Sequence, residues 1–411
     1  MIETPVRGMR DILPTDLRLR DYLMKIIERR AVMAGYQKIE TPAIEHLENL
    51  TSKDGGENET LIFKILKRGR DLEKARAEGS ELADSALRYD LTVPLSRYFA
   101  AHSEELTMPF KSLQMGSVWR ADAPQKGRFR QFVQCDMDVL GDASVMAEID
   151  TINTVLGILT EVCENAKLTG LTVRINDRRI LTAAATYAGF SEEEFSSVLI
   201  ALDKNDKIGL EGVKNELKQQ GFDEGAIAKF IALFEGVDAE ITAKKFCEKF
   251  DGLDEKVLKN LETIMNAVKG CGRIVFDPTL VRGMGYYTGP IFECTVDGLS
   301  SSIAGGGRYD HMIGKFSGRE VPACGFSIGF ERLVTVLDDV GFVPPRMGEV
   351  CAMLVSQKVS TEKYAEIMKK AEEKRKEGKV VSVLMMARNL GRQIELLEKN
   401  GFVEIEKIYQ D

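Results

Sequence analysis

The stretch KSLQMGSVWRADAPQKGRFRQFVQCDMDVL, residues 111–140, decides how this chain folds. Apolar residues alternate on both sides of a basic segment that contains Pro124 and Gly127, so it reads as two antiparallel strands joined by a long polar loop. Side chains alternate between the two faces of a strand. On the second strand Val133, Cys135, Met137 and Val139 therefore share one face, and Arg130, Phe132, Gln134, Asp136 and Asp138 share the other. On the first strand Arg120 falls on the face of Gln114 and Gly116. A face that carries Arg, Gln and Asp in the middle of a large domain is costly unless those groups meet ligands, water or one another. Taken alone, the pair is also compatible with an outer hairpin whose polar face is solvated.

Length and composition bound the answer. At 411 residues there is room for two or three domains, and 44% hydrophobic with 29% charged residues is the make-up of an ordinary soluble protein. No apolar run approaches the roughly 18 to 20 residues of a membrane helix, and the N-terminal MIETPVRGMRD has no apolar signal core. A cytoplasmic protein that does not enter a membrane is expected. Seven cysteines, none in a CxxC pair, predict reduced thiols and no zinc site, and no protein ligand set for a metal is identified. His46, His102 and His311 are expected as surface or packing residues. The net charge of −8 argues against a protein that only coats nucleic acid. From residue 346 onward 13 Lys and Arg face 11 Asp and Glu, so a mildly basic tail follows an acidic body.

Along the chain, Thr15 or Asp16 can cap a helix whose stripe is Leu19, Leu23, Ile26 and Ile27, ending near Gly35. A strand is expected over 36–40, another over 60–66, a charged hairpin tip or loop over 67–84 and a short strand over 86–89. Thr92 is expected to cap a helix that Pro94 opens, which places Asp90 and Thr92 beside a helix N-terminus where a cationic amino group can be gripped. A helix over 144–165 and a strand over 172–176 follow the hairpin. From about 190 to 270 the pattern is helical, with stripes Ile227, Phe230, Ile231, Phe234 and Val257, Leu261, Ile264, Val268. Strands resume at 273–276, 287–296 and in IAGGGRYD at 303–310, whose three glycines would permit close approach of a ligand. A strand at 323–330 leads into a helix that carries Arg332 in its first turn. The segment VPPRMG at 343–348 marks a boundary, after which the order is βαβαβ.

Several of these segments together resemble class II aminoacyl-tRNA synthetases, specifically histidyl-tRNA synthetase. GRFRQF with QCDMD looks like the family's motif 2, LRYDLTVPLSRYFA (87–100) like its amino-acid pocket, LVRGMGYYTGPIFE (280–293) like its histidine signature, and GFSIGFERL (325–333) like motif 3. The helix and strand near the N-terminus resemble motif 1, the dimer-forming element. The resemblance implies an α+β class: a mixed, mainly antiparallel sheet flanked by helices. It divides the chain into a catalytic domain at 1–345 with a helical insertion at about 190–270, and a shortened, anticodon-binding-like α/β domain at 346–411. It also implies a homodimer that takes L-histidine, ATP with Mg2+, and tRNA(His).

The chemistry suits the residues. A carboxylate must attack the α-phosphorus of ATP, and permanent cations can hold two mutually repelling groups together without a proton-transferring base. Arginine stays charged and presents a planar fork to phosphate. By resemblance Arg120 meets the α-phosphate, Arg332 the γ-phosphate and Arg282 the α-phosphate with the substrate carboxylate, with Arg128 a further ATP contact. Asp90, Thr92 and Gln134 would hold the amino group of histidine, while Asp138, Tyr287 and the neighbouring Tyr286 would line its ring. One departure is Gly285, where many members have aspartate. The alternative reading is the regulatory subunit of ATP phosphoribosyltransferase, a histidine-sensing relative that does not aminoacylate; it has no need of a phosphate clamp.

Overall fold

The structure is a computed structural model that describes residues 2–51, 57–124, 128–238, 240–270, 272–282, 286–299, 301–345 and 348–409. Two compact units are present: Met1–Asp11 with Leu23–Phe342, and Ile12–Tyr22 with Val343–Asp411. Gly285 and part of the 343–348 segment lie outside the described residues.

Helix α1 (Pro14–Met33) buries Leu23, Ile26 and Ile27 on one stripe, and Gly35, at φ +86°, turns the chain into the short strand β1 (Gln37–Lys38). Strand β2 (Ile44–His46) and the one-turn helix α2 (Leu47–Leu50) follow. The strand expected over 60–66 is shorter: Glu57–Leu61 is a 3-10 turn and only β3 (Lys64–Leu66) is extended. The charged segment after it is a helix, α3 (Gly69–Glu78), closed by Gly79 at φ +66°. Its Leu, Glu, Lys, Ala and Arg are strong helix formers, and that propensity outweighs a weak apolar pattern in which Ala75 is the buried residue. Strand β4 (Ala83–Leu87) then returns antiparallel to β3. Helix α4 (Thr92–His102) also corrects an expectation, because Thr92 is its first residue and the carboxylate of Asp90 accepts the Val93 N–H at 3.2 Å.

The central hairpin is β5 (Phe110–Trp119) and β6 (Gln131–Leu140), paired antiparallel with Gly116 opposite Gln134 and Ser112 opposite Asp138. After it come α5 (Met146–Ala166), β7 (Thr172–Asp177) and α6 (Arg178–Ala188). The helical region holds α7 (Phe195–Leu202), α8 (Asn205–Gln219, broken at Gly209), α9 (Glu224–Phe234), α10 (Ala243–Cys247) and α11 (Glu255–Val268). Both expected stripes are buried there, and Phe246 packs on Phe276 at 5.9 Å, seating the region on the last strand of the sheet. The unit finishes with β8 (Arg273–Phe276), β9 (Pro290–Thr295), β10 (Ala304–Arg308), the short α12 (Gly314–Ser317), β11 (Ala323–Ile328) and α13 (Phe330–Asp339).

Eight strands form one sheet in the order β1-β5-β6-β11-β10-β9-β7-β8, antiparallel except for the outer pairs β1–β5 and β7–β8. Its two faces differ. On one, Cys135, Met137, Val139, Phe326 and Phe292 are buried beside α5, whose Ile152, Val155, Leu156 and Leu159 are also buried. Arg308 on β10 pins α5 through both oxygens of Glu148, at 2.5 and 2.8 Å. The other face is polar, and Asp136 and Asp138 are only 4% exposed, which rules out a solvated outer hairpin.

The second unit has a three-stranded parallel sheet in the order β13-β12-β14, formed by β12 (Val350–Val355), β13 (Val380–Met385) and β14 (Glu404–Ile408), with α14 (Tyr364–Lys376) and α15 (Leu390–Lys399) as crossovers. Asn389 caps α15 by accepting the Arg392 N–H at 3.0 Å.

The glycine triplet serves the packing of the sheet. Phe292 and Phe326 stack at 5.2 Å across Gly306, where an added Cβ would lie 2.0 Å from the Gly325 carbonyl oxygen. Gly306→Ala should therefore force β10 and β11 apart and destabilise the fold by about 1–3 kcal/mol or more. A thermal midpoint equal to that of the wild type would contradict this packing.

Candidate active site

Strand register gathers the polar side chains into rows. Gln114, Asp136, Ser327, Gly305, Glu293 and Arg174 are successive neighbours across β5, β6, β11, β10, β9 and β7, and Ser112, Asp138, Gly325 and Gly307 form the next row. Two glycines leave room here for the charged side chains opposite them. A Cβ on Gly325 would lie 1.9 Å from Asp138 Oδ1, and a Cβ on Gly305 would lie 2.5 Å from the guanidinium carbon of Arg282.

One end of this face is acidic. Asp138 accepts the Tyr309 hydroxyl at 2.5 Å, and Asp136 accepts the Ser327 hydroxyl at 2.5 Å. Desolvation pushes the Asp138 carboxyl up to about 7, against the Tyr309 hydrogen bond and with help from Asp90. Asp90 is raised to about 6 by desolvation, which the Val93 N–H and Arg120 oppose. Asp136 is held well above the usual carboxylate range by desolvation and by Asp138. Three carboxyl groups that resist ionising together form a site that a cation would stabilise. Gln134 adds a carbonyl oxygen, Oε1, that is buried without a hydrogen-bond partner. Tyr286 and Tyr287 stand beside this end with ring centroids 4.3 Å apart, and Tyr286 meets Tyr309 edge-on at 6.4 Å.

The other end is basic. A cleft of about 200 Å³ is lined by Arg120, Arg128, Phe129, Phe132, Gln134 and Arg332 among others. Arg120 donates Nε to the Tyr89 carbonyl at 2.9 Å and lies over the Phe132 ring, 5.2 Å from its centre. Ser302 joins two arginines: its hydroxyl accepts from Arg282 Nη1 at 3.1 Å and its carbonyl from Arg332 Nη1 at 2.8 Å. Desolvation first, then Arg282 and Arg128, lowers the Arg332 pKa, so these cations share one field. Such a field suits a polyanion.

Every residue expected at a site thus falls on this face or at its rim, with one qualification. The Thr92 side chain takes no part in the hydrogen bonds of the acidic end, and its carbonyl accepts the Ser96 hydroxyl at 2.9 Å. Sequence reading passed over Tyr309, Ser327, Glu293, Ser302 and Arg174. Tyr309 could have been found, since strand alternation puts it on the face of Gly305 and Gly307. His102 and His311 lie away from the site, hydrogen-bonded to Glu105 and Glu320.

Among the described residues no helix is long and apolar enough to cross a membrane. The family model for histidyl-tRNA synthetase matches residues 8–333. The histidine–tRNA ligase of Leifsonia xyli subsp. xyli is 46% identical, over 82% of this chain and 80% of that protein. The histidine–tRNA ligase of Christiangramia forsetii is 35% identical, over 96% and 90%. The crystal structure of histidyl-tRNA synthetase from Nostoc sp. PCC 7120 aligns with a TM-score of 0.78 at 29% identity, covering 98% of this chain and 90% of that one. A Bacillus halodurans structure described as an ATP phosphoribosyltransferase regulatory subunit/histidyl-tRNA synthetase aligns with a TM-score of 0.77 over 100% and 99%; at 21% identity it speaks for the fold alone. With its sheet, its signature segments and these relatives in agreement, the chain belongs to the histidyl-tRNA synthetase family.

Proposed function

We propose that this protein is a class II histidine–tRNA ligase of protein biosynthesis, which activates histidine with ATP and passes the histidyl group to the 3′ end of tRNA(His). The observation that carries the reading is the meeting, on one sheet face, of buried carboxyl groups that seek a cation with arginines that seek a polyanion. A zwitterionic amino acid beside a nucleoside triphosphate satisfies both. A carboxylate oxygen of histidine attacks the α-phosphorus, the bond to the bridging oxygen breaks, and pyrophosphate leaves with the electron pair. A terminal ribose hydroxyl of tRNA then attacks the acyl carbon, AMP departs, and the hydroxyl proton passes to solvent.

In this reading Arg120 and Arg282 bear on the α-phosphate, Arg282 also on the substrate carboxylate, and Arg128 and Arg332 on the remaining phosphates. Their fixed charges lie where negative charge gathers in the transition state. Asp90, Thr92 and Gln134 take the α-ammonium group, and Asp138, Tyr286 and Tyr287 the ring. Mg2+ belongs to the same reading as the companion of ATP. It favours phosphate oxygens and water over a dedicated protein cage, and among the described residues no group of three or more His, Cys, Asp or Glu is set to hold a metal ion. A cytoplasmic homodimer joined through the α1–β1 region completes the proposal, supported by the position of β1 at the sheet edge. Histidine-dependent exchange between ATP and pyrophosphate, followed by charging of tRNA(His), tests it. A chain that binds histidine and catalyses neither would be a sensor.

Arg282→Ala should keep histidine binding within a few-fold while exchange falls by about 10² to 10³. An undiminished exchange rate would remove Arg282 from the catalytic set.

Histidine affinity should also depend on pH with a defined sign. A cation binds the ionised carboxylates, so protonation of Asp138 near 7 and Asp90 near 6 weakens binding as pH falls through that window. The free imidazole titrates in the same range, so the informative quantity is a difference between proteins. Asp138→Asn should bind histidine less well than the wild type, with ATP little affected, and should show a shallower dependence between about pH 6 and 8. Parallel pH profiles for the two proteins would show that Asp138 does not face the substrate.

The second unit should add affinity for tRNA through phosphate contacts. Arg388 and Arg392 are exposed, while Leu390, Ile394 and Leu397 on α15 are half-buried. Reversing both charges with Arg388→Glu and Arg392→Glu should raise the tRNA concentration needed for charging and flatten its salt dependence by up to about two phosphates' worth. An unchanged salt slope would exclude this helix from the tRNA path.

A further inference from the structure

The site contains a carboxylate that the roles above leave unused. Glu293 on β9 is 8% exposed, faces Gly305 on one neighbouring strand and Arg174 on the other, and gives one oxygen to each of two guanidinium groups. Its Oε2 accepts Arg282 Nη1 at 2.7 Å and its Oε1 accepts Arg174 Nη1 at 2.8 Å. We propose that Glu293 is the positioning residue of Arg282, and that Arg174 holds Glu293 in place from the far side. The inference rests on the reading of Arg282 as the arginine that meets the α-phosphate.

The geometry of Arg282 supports such a clamp. Nη1 is fixed by Glu293 and by the Ser302 hydroxyl, and the face of the group rests over Gly305. Among the described residues one nitrogen and one face are therefore committed, which leaves Nε and Nη2 to reach oxygens of the substrates. The guanidinium is set before substrate arrives, and the reaction need not order it.

The charge pattern shows how the carboxylate is itself held. Arg174 draws on the same carboxylate and fixes the second oxygen of Glu293. Arg174 is in turn balanced from behind: its Nε donates to Asp277 at 2.5 Å, and its Nη1 also reaches Asp206 on α8 at 3.4 Å. Charges alternate along Arg282, Glu293, Arg174 and Asp277, and Arg282 is the end of the chain that faces the site. A purely structural ion pair would engage Glu293 and Arg174 alone and leave Arg282 free to swing.

The test is steady-state exchange with the full chain. Glu293→Gln keeps the size and one acceptor but removes the charge, and kcat should fall by about 10- to 100-fold. KM for histidine and for ATP should stay within about threefold, since the loss falls in the transition state. Arg174→Lys, which keeps the charge and loses the fork, should lower kcat in the same sense. In an Arg282→Ala background Glu293→Gln should slow the reaction no further, because both substitutions remove one function. The proposal is overturned if a folded Glu293→Gln protein keeps its kcat, or if the two substitutions multiply. Should Glu293→Gln fail to fold, Ser302→Ala removes the other fastening of Nη1, and an unchanged kcat there overturns the clamp as well. A wild-type chain without histidine-dependent exchange would sink the activity and this inference together, whereas an active wild type with an equally active Glu293→Gln would sink this inference alone.

Discussion

Everything in the larger unit answers to one constraint: a row of charged and polar side chains crosses a sheet that is buried on both faces. Six adjacent strands contribute Gln114, Asp136, Ser327, Gly305, Glu293 and Arg174 in register. Removing such groups from water costs several kcal/mol per ion before pairing. The opposite face must supply the stability that this one does not. Its apolar side chains pack beside α5, the stacked Phe292 and Phe326 meet across Gly306, and the buried Arg308–Glu148 pair fixes the helix to the sheet. The site can remain charged because the far side of the sheet is largely apolar and its buried ion pair, Arg308 with Glu148, is satisfied within itself.

The row is also divided by sign. Carboxyl groups concentrate on β6 and at the start of α4, while arginines come from the end of β5, from α13 and from the segment before β9. Glycines at 305 and 325 keep the middle open where a larger residue would close it. In the proposed reading this separation orients the substrate. The ammonium and ring of the amino acid are drawn to the acidic end, and its carboxylate is left pointing at the arginines and the α-phosphorus. Orientation of this kind turns a repulsive encounter between two anions into a positioned one.

How much of this could be read from the sequence differs from element to element. Parity on residues 130–139 placed Gln134 and Asp138 on one face, since a period of two carries that information locally, and the βαβαβ order of the second unit was equally plain. Residues 57–84 misled in part because the apolar pattern there is thin: β3 and β4 do pair antiparallel around the expected hairpin tip or loop, but intrinsic propensity makes a helix, α3, of the connection. Thr92 is expected as the cap by type, yet the hydrogen bond goes to Asp90, one turn geometry among several that the sequence permits. The clamp around Arg282 was not legible at all. It needs the register of β7, β9 and β10, strands separated by more than a hundred residues at the extreme, and no local pattern in Glu293 or Arg174 announces it.

The rival to the enzyme is a protein that only senses histidine, because a fold by itself does not fix a function. What distinguishes the two is the cost each would bear for the basic end. A protein that only binds histidine gains nothing from holding Arg120, Arg128 and Arg332 around a cleft with Arg282 in the same field, where desolvation first and then the neighbouring arginines lower the Arg332 pKa. Here that repulsion is retained, and a shared carboxylate, a serine and a glycine are arranged to keep Arg282 in place within it. Destabilising cations held in fixed positions are what a phosphoryl-group reaction requires, and their retention argues for catalysis over sensing.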